Sequence, residues 1–251
     1  MILSAPQIAT LKPMLNSDRI KHLFGSYQVE PIHVFTQEFP NSRISNLHSI
    51  HEKNNAKLKI QRTLAIVDFV SKIPPLLIPA HERIIAGASI GTALVEAGWK
   101  INKNPIFFGE IPILKQVMEW MHEKEQDRAA VHIYQLEVSN ESQREPVPYC
   151  TIIEIHSPQY LSLASLKALY DEDFQHCFER SDRINSLLGR VYTFFVELDD
   201  HQKSIQKIKS YAPGFSVYTS SMAAMSDAKA VSLTLPVSGV SNISKPDPIR
   251  P

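Results

Sequence analysis

The sequence predicts an α+β protein: an antiparallel β-sheet with helices on its face, plus a helical C-terminal extension. Two pairs of segments rich in β-branched and aromatic residues, each pair joined by a polar loop, indicate antiparallel hairpins. Apolar residues beyond position 165 instead recur at the three-to-four-residue spacing of a helix. We therefore expect one domain over residues 10–165, a helical extension over 166–212 and a flexible tail over 213–251.

Composition excludes several classes of protein. The 251 residues are 43% apolar and 21% charged, which is ordinary for a soluble globular protein. The net charge is +0 and no basic block occurs, so nucleic acid is not an expected partner. No run of about 18 apolar residues or secretory signal is present, so no membrane span is expected. Two cysteines and the lack of HExxH or CxxC spacing predict a cytoplasmic protein without a metal site.

The chain begins with a predicted short helix and a weak strand. Ser17–Phe24 predicts the helix, because Ser or Asn at its start can cap it and Gly25 can end it. Tyr27–Phe35 alternates loosely, so it predicts a strand that Pro31 weakens.

A hairpin is predicted next. Its strands are Arg43–Ile50 and Leu58–Val67, and the polar run His51–Lys57 forms its loop by composition. Because side chains alternate along a strand, Arg43 is expected near the open end of this hairpin, on the same face as Ser45.

The middle of the chain predicts a helix over His81–Ala86, followed by the small-residue segment Gly87–Leu94. Such a segment can present backbone N–H groups to an anion, or it can let a helix pack closely on a sheet, and both interpretations stay open. Beyond it, Ile106–Ile111 predicts a short strand or turn, and Ile113–Glu125 predicts an amphipathic helix that carries Trp120.

A second hairpin follows, with strands at Asp127–Val138 and Val147–His156. Glu154 stands among isoleucines near the end of the second strand. If buried, this carboxylate must be paired or have a raised pKa; alternatively it points to water at a strand edge. His156 shares the face of Glu154, but a lone histidine at a strand end is usually half-exposed.

The last predicted element is helical. Apolar residues from Leu166 to Leu198 follow a helical spacing, with a break expected at Gly189. Such a stripe buries against the sheet or against a second subunit, so a homodimer through this region is one expectation.

Four segments resemble, in order and spacing, those of one enzyme family. They are Arg43–Leu47, Gln61–Val67, Gly87–Leu94 and Thr151–Pro158. Together they are similar to the substrate-binding strand, the Arg-Thr strand, the Gly-containing loop and the glutamate strand of the chorismate lyase (chorismate–pyruvate lyase) family. The resemblance covers residues 10–165 and implies a chorismate lyase-like fold there.

This resemblance implies an enzyme that converts chorismate, or a close relative, to 4-hydroxybenzoate and pyruvate without a cofactor, for quinone or secondary-metabolite synthesis. Arg43 would bind the ring carboxylate bidentately, and the backbone N–H groups of Ile90 and Gly91 would complete that site. Glu154, with a raised pKa in a dry pocket, would hydrogen-bond the C4 oxygen and assist proton movement as the catalytic carboxylate. Arg128 would be a further substrate-binding residue.

The sequence also departs from the family pattern. Ser89-Ile90-Gly91 stands where the family has Pro-Leu-Gly, and Arg128 stands alone where members often hold an arginine cluster. Two other functions therefore stay open. One is a ligand-binding, sensor-like domain of the same fold that acts through a protein partner, since the first 25 residues leave no room for a helix-turn-helix module. The other is an assembly protein that associates through its helical region.

Overall fold

The structure, a computed structural model, describes residues 1–32, 39–53, 56–112, 128–170 and 181–211, and it confirms the α+β class. The described residues form one six-stranded antiparallel sheet in the order β1-β2-β3-β6-β5-β4. Its strands are β1 (Gln28–Ile32), β2 (Ser42–Lys53), β3 (Ala56–Phe69), β4 (Lys100–Pro112), β5 (Arg128–Ser139) and β6 (Val147–His156).

Helices cover both faces of this sheet. They are α1 (Ala5–Leu11), α2 (Asn16–Phe24), α3 (Ile78–Ile85), which follows a short 3-10 turn, α4 (Ile90–Glu96), α5 (Leu163–Ala168) and α6 (Asp182–Tyr211). Gly25 ends α2 as predicted, with a left-handed φ of 75°. No helix in the described ranges is long and apolar enough to cross a membrane.

Both predicted hairpins are confirmed. β2 pairs with β3 and β5 pairs with β6, each in antiparallel register. The two hairpins join through a third antiparallel pair, β3 with β6, in which Ala65 lies opposite Glu154. β6 therefore lies inside the sheet, whereas β1 and β4 form its edges.

One face of the sheet carries the second part of the predicted apolar stripe, whereas its first residues, Leu166 and Leu169, pack on the opposite face. Ile184, Val191, Phe194 and Phe195 of α6 are buried in one core cluster with Ile153 and other residues of the sheet. These α6 side chains therefore bury against the sheet of the same chain, and the homodimer stays a prediction. The break expected at Gly189 is wrong, because α6 runs through this position without interruption.

The opposite face carries the shorter helices and two further apolar clusters. One cluster joins α3 and α4 to Tyr134 and Ile152, and the other joins α1, α2 and α5 to Ala65 and Ala130. On β5, His132 lies between Tyr134 of the first cluster and Ala130 of the second. Polar residues thus interrupt the apolar surface at the middle of this face.

Several boundaries differ from the prediction. His51–Lys53 continues β2, because these residues pair with the start of β3 and lengthen the hairpin. β4 begins at Lys100, six residues before the predicted strand, since its first half pairs with β5 despite its polar sequence. Residues 113–125 and the tail at 213–251, for which a helix and flexibility were predicted, lie outside the described residues, as do Cys177 and parts of the first strand.

Candidate functional site

A cavity of about 90 Å³ lies on the face opposite α6. This volume is below the roughly 300–1,000 Å³ of drug-sized ligand pockets. Every strand of the sheet and the first residues of α2 and α4 contribute to it. The polar side chains that line it are Asn16, Ser17, Tyr27, Arg43, Ser45, Ser89, Lys103, Tyr134 and Glu154.

Glu154 is buried in this cavity, with 7% of its surface exposed. The strand-edge interpretation is therefore wrong, because β6 is an inner strand. Two donors hold one carboxylate oxygen: Asn16 Nδ2 donates to Oε1 at 3.1 Å and the Tyr134 hydroxyl donates to Oε1 at 3.3 Å. Oε2 lies 3.9 Å from a ring nitrogen of each of His132 and His156, beyond hydrogen-bond distance.

The two histidines beside Glu154 are buried and neutral. Each is 1% exposed, so the expectation of a half-exposed His156 is wrong. Burial, together with the nearby positive charge of Arg19, lowers the pKa of His156 to about 3. Burial also holds the pKa of His132 well below its usual value. Nδ1 of each ring has a hydroxyl partner, Tyr170 or Thr63, whereas neither Nε2 has a hydrogen-bond partner in the described part of the chain.

Arg43 lines the same cavity from β2, together with Ser45, as the alternation of the strand predicted. Its guanidinium is held by neutral groups: Nε donates to Ser45 Oγ at 2.9 Å, and Nη1 donates at 2.6 Å to the carbonyls of both Ile84 and Ala88. Nη2 has no partner among the described residues. The bidentate grip expected from the resemblance is therefore not available in this geometry, because a ligand carboxylate would find only Nη2 free.

Arg43 and Glu154 lie two strands apart. Glu154 is opposite Ala65 of β3, and Ala65 is opposite Ser45 of β2. Two strand spacings are about 10 Å, and the step from Ser45 to Arg43 adds about 7 Å along the strand. The two side chains therefore approach one cavity from positions about 12 Å apart.

The start of α4 lies beside Arg43. Ser89, Ile90 and Gly91 line the cavity, and the first N–H groups of a helix have no partner within it. Gly91 also packs closely, because a Cβ there would lie 2.8 Å from Leu15 Cδ1. Close packing is therefore confirmed at Gly91, and anion binding by this segment stays a prediction.

Arg128 is not brought to the cavity. It is more than half exposed at the start of β5, where Nη2 donates to the Glu110 carbonyl at 3.1 Å and Nε lies 3.6 Å from the Glu110 carboxylate. Arg128 lies six residues before Tyr134, about 20 Å along the strand. The substrate-binding role implied for it has no support in this geometry.

Sequence reasoning missed several residues of the cavity. Asn16 and Lys103 come from α2 and from the polar first half of β4, and neither stands in a recognisable motif. Tyr27 precedes β1, and burial raises its pKa to about 12. The one signal available for Lys103 was its spacing from Ile101. Residues two apart on a strand face the same side of the sheet, and both of these line the cavity.

The arrangement can hold a small anion and present a fixed carboxylate to it. Two neutral donors hold Glu154, the cations Arg43 and Lys103 line the same cavity, and Tyr134 keeps its proton because burial and Glu154 both raise its pKa. No group of three or more His, Cys, Asp or Glu residues in the described ranges is placed to bind a metal ion.

Comparison with known proteins gives little further information. No protein-family model matches the chain, and no curated protein matches it significantly. Among solved structures, a GntR-family transcriptional regulator from Enterococcus faecalis V583 is similar with a TM-score of 0.27 and 15% sequence identity, over 55% of this chain and 93% of that chain.

Proposed function

We propose that this protein is a lyase of the chorismate–pyruvate lyase type, acting on chorismate or a close relative. The observation that carries the proposal is that Arg43 and Glu154, predicted from separate hairpins, line one cavity. A cation and a buried carboxylate at this separation suit a ring that carries a carboxylate at one end and a hydroxyl at the other.

Arg43 binds the ring carboxylate in this proposal. Its Nη2 supplies one charge-assisted hydrogen bond, and the backbone N–H groups of Ile90 and Gly91 supply further donors. Because Ile84 and Ala88 fix the guanidinium from behind, the cation is already oriented when the ligand arrives. Such preorganisation lowers the entropic cost of binding.

Glu154 acts at the other end of the ring. With Oε1 held by Asn16 and Tyr134, Oε2 is the atom that accepts a hydrogen bond from the C4 hydroxyl. In the reaction the enolpyruvyl C–O bond breaks and the ring loses the proton on C4, which makes the ring aromatic. The enolpyruvate released takes up one proton and becomes pyruvate, so the protons balance. A positioned carboxylate of this kind contributes about 10²–10⁴-fold to the rate.

The direct test is to incubate the purified protein with chorismate and to follow 4-hydroxybenzoate and pyruvate together. We expect equal amounts of both, and a loss of about 10²-fold or more in Glu154→Gln. Glu52→Gln, an exposed carboxylate of β2, is the matched control and should keep full turnover. Circular dichroism checks that both variants fold. Absence of product, or full turnover in Glu154→Gln, would contradict the lyase.

A non-catalytic, sensor-like binding domain is the second candidate. The free Nη2 of Arg43 favours carboxylate binding whether or not a reaction follows. This candidate predicts that 4-hydroxybenzoate raises the melting temperature while chorismate stays unchanged.

A further inference from the structure

The charges around the cavity are unbalanced. Arg43 and Lys103 line it, and the buried Arg19 of α2 is close enough to Lys103 to lower its pKa, whereas Glu154 is the one carboxylate among the lining side chains described. Arg19 donates to the backbone carbonyls of Leu11 and Lys12, and Arg43 also donates to neutral groups. Neither has a carboxylate partner within the described residues. Three cations thus share one carboxylate.

Lys103 is the cation whose position most needs an explanation. It is partly buried on β4, and Nζ lies 5.1 Å from the ring centroid of Tyr134. It has no hydrogen bond or ion pair with any described residue. Burial lowers its pKa, and the attraction of Glu154 opposes this effect. A lysine normally extends its ammonium group into water, whereas this one lies over an aromatic ring in a cavity, where it is placed to bind an anionic group of a ligand.

The strand order places Lys103 on the far side of Glu154 from Arg43. In the order β2-β3-β6-β5-β4, the strand of Glu154 lies midway between the strands of the two cations. A ligand centred on Glu154 therefore has one cation on each side. A second acidic group on that ligand would meet Lys103.

We propose that Lys103 binds the second carboxylate of the ligand and so determines the preference for dicarboxylates over monocarboxylates. The proposal rests on the proposed function for the ligand class, a ring with two carboxylates, but it concerns binding and not turnover. Lys103 has three rotatable N–H donors, which suit a carboxylate on a flexible ether arm.

A matched pair of stable ligands tests this role. One is 3-(carboxymethoxy)-4-hydroxybenzoate, which has two carboxylates and keeps the hydroxyl at C4; the other is 3-ethoxy-4-hydroxybenzoate, in which a methyl group replaces the second carboxylate. Titration calorimetry gives the affinity of each. We expect Lys103→Met to weaken the dicarboxylate by about 10- to 100-fold and to leave the monocarboxylate within about twofold. Lys103→Arg should keep most of the preference for the dicarboxylate. This variant distinguishes loss of the positive charge from loss of the fold.

Lys100→Met is the control variant, because Lys100 is an exposed lysine of the same strand outside this cavity. It should change neither affinity. Equal effects of Lys103→Met on both ligands, or no binding of the dicarboxylate to the wild-type protein, would overturn the proposal. A Lys103-dependent preference in a protein that leaves chorismate unchanged would support the proposal while contradicting the lyase. A protein that converts chorismate but binds the two ligands without a Lys103-dependent preference would support the lyase and contradict this role of Lys103.

Discussion

Asn16 at the start of α2 joins the helix layer to the centre of the sheet. Its Nδ2 donates to Glu154 Oε1 at 3.1 Å, and its Oδ1 accepts a hydrogen bond of 2.7 Å from the Tyr160 hydroxyl. One side chain thus fixes the carboxylate and satisfies a buried tyrosine. The orientation of Glu154 therefore depends on a helix that stands 138 residues away in the chain.

Replacing Asn16 by alanine should lower the free energy of unfolding by about 1–3 kcal/mol, because the Tyr160 hydroxyl and Glu154 Oε1 each lose a partner in a buried place. Urea denaturation measures this change. Asn102→Ala, an exposed asparagine of β4, should cost less than about 0.5 kcal/mol. Equal costs for the two variants would show that the Asn16 contacts add nothing to stability.

His156 makes stability depend on pH. Its folded pKa of about 3 lies below the ordinary 6.5, so between these values the unfolded chain takes up a proton that the folded protein does not. The free energy of unfolding is therefore greatest above about pH 6.5 and falls as the pH is lowered through this window, by up to about 1.4 kcal/mol per pH unit. Urea midpoints between pH 4 and 7 check the direction.

Replacing His156 by glutamine should flatten this pH dependence, although His132 contributes in the same direction. His22→Gln removes an exposed histidine of α2 and should leave the slope as it is. An unchanged slope in His156→Gln would mean that this ring is protonated alike in the folded and unfolded states.

Arg43 should matter for stability even without a ligand. Arg43→Ala removes the donors to the Ile84 and Ala88 carbonyls, so we expect a loss of about 2–3 kcal/mol. Arg83→Ala is the comparison, since its ion pair with Glu96 is about half exposed and contributes less than about 1 kcal/mol. If the two substitutions lower the free energy of unfolding equally, the buried hydrogen bonds of Arg43 do not stabilise the junction of α3 and α4.

Two glycines should respond to alanine in opposite directions. Gly189 is inside α6, so Gly189→Ala should raise the free energy of unfolding by about 0.5–1 kcal/mol. Gly98 has a φ of 80°, so Gly98→Ala should lower it by about 1–2 kcal/mol. A new Cβ would meet no atom within 4 Å at either site, which leaves backbone conformation as the cause. Thermal or urea denaturation distinguishes the signs, and a destabilised Gly189→Ala would contradict a continuous helix.

The strands were predictable where local sequence and burial agree. β6 and the buried half of β3 are rich in aliphatic residues, as inner strands are, and both strands were predicted close to their observed ends. The first half of β4 was missed because Lys100–Pro105 is polar and includes a proline, which an edge strand tolerates. Its pairing with β5, and not its own propensity, makes it a strand.

The candidate site was predictable only in part. Alternation along single strands placed Arg43 and Glu154 on definite faces, and the order of the segments suggested that these faces coincide. The contacts of Asn16 and Lys103 depend on how separate elements pack, which no local pattern encodes. The burial of His156 depends likewise on α2 and the segment after β6, which carry Arg19 and Tyr160.

The single β3–β6 pairing between the two hairpins also bears on how the protein folds. Each hairpin can form from neighbouring residues, but Thr63 and His156, which lie 93 positions apart in the chain, must meet. Arg43 belongs to one hairpin and Glu154 to the other, so neither half of the chain holds a complete site. Formation of such distant contacts is slow. During refolding, ligand affinity should therefore emerge late, together with the closing of the central sheet, and a bound ligand would report that step.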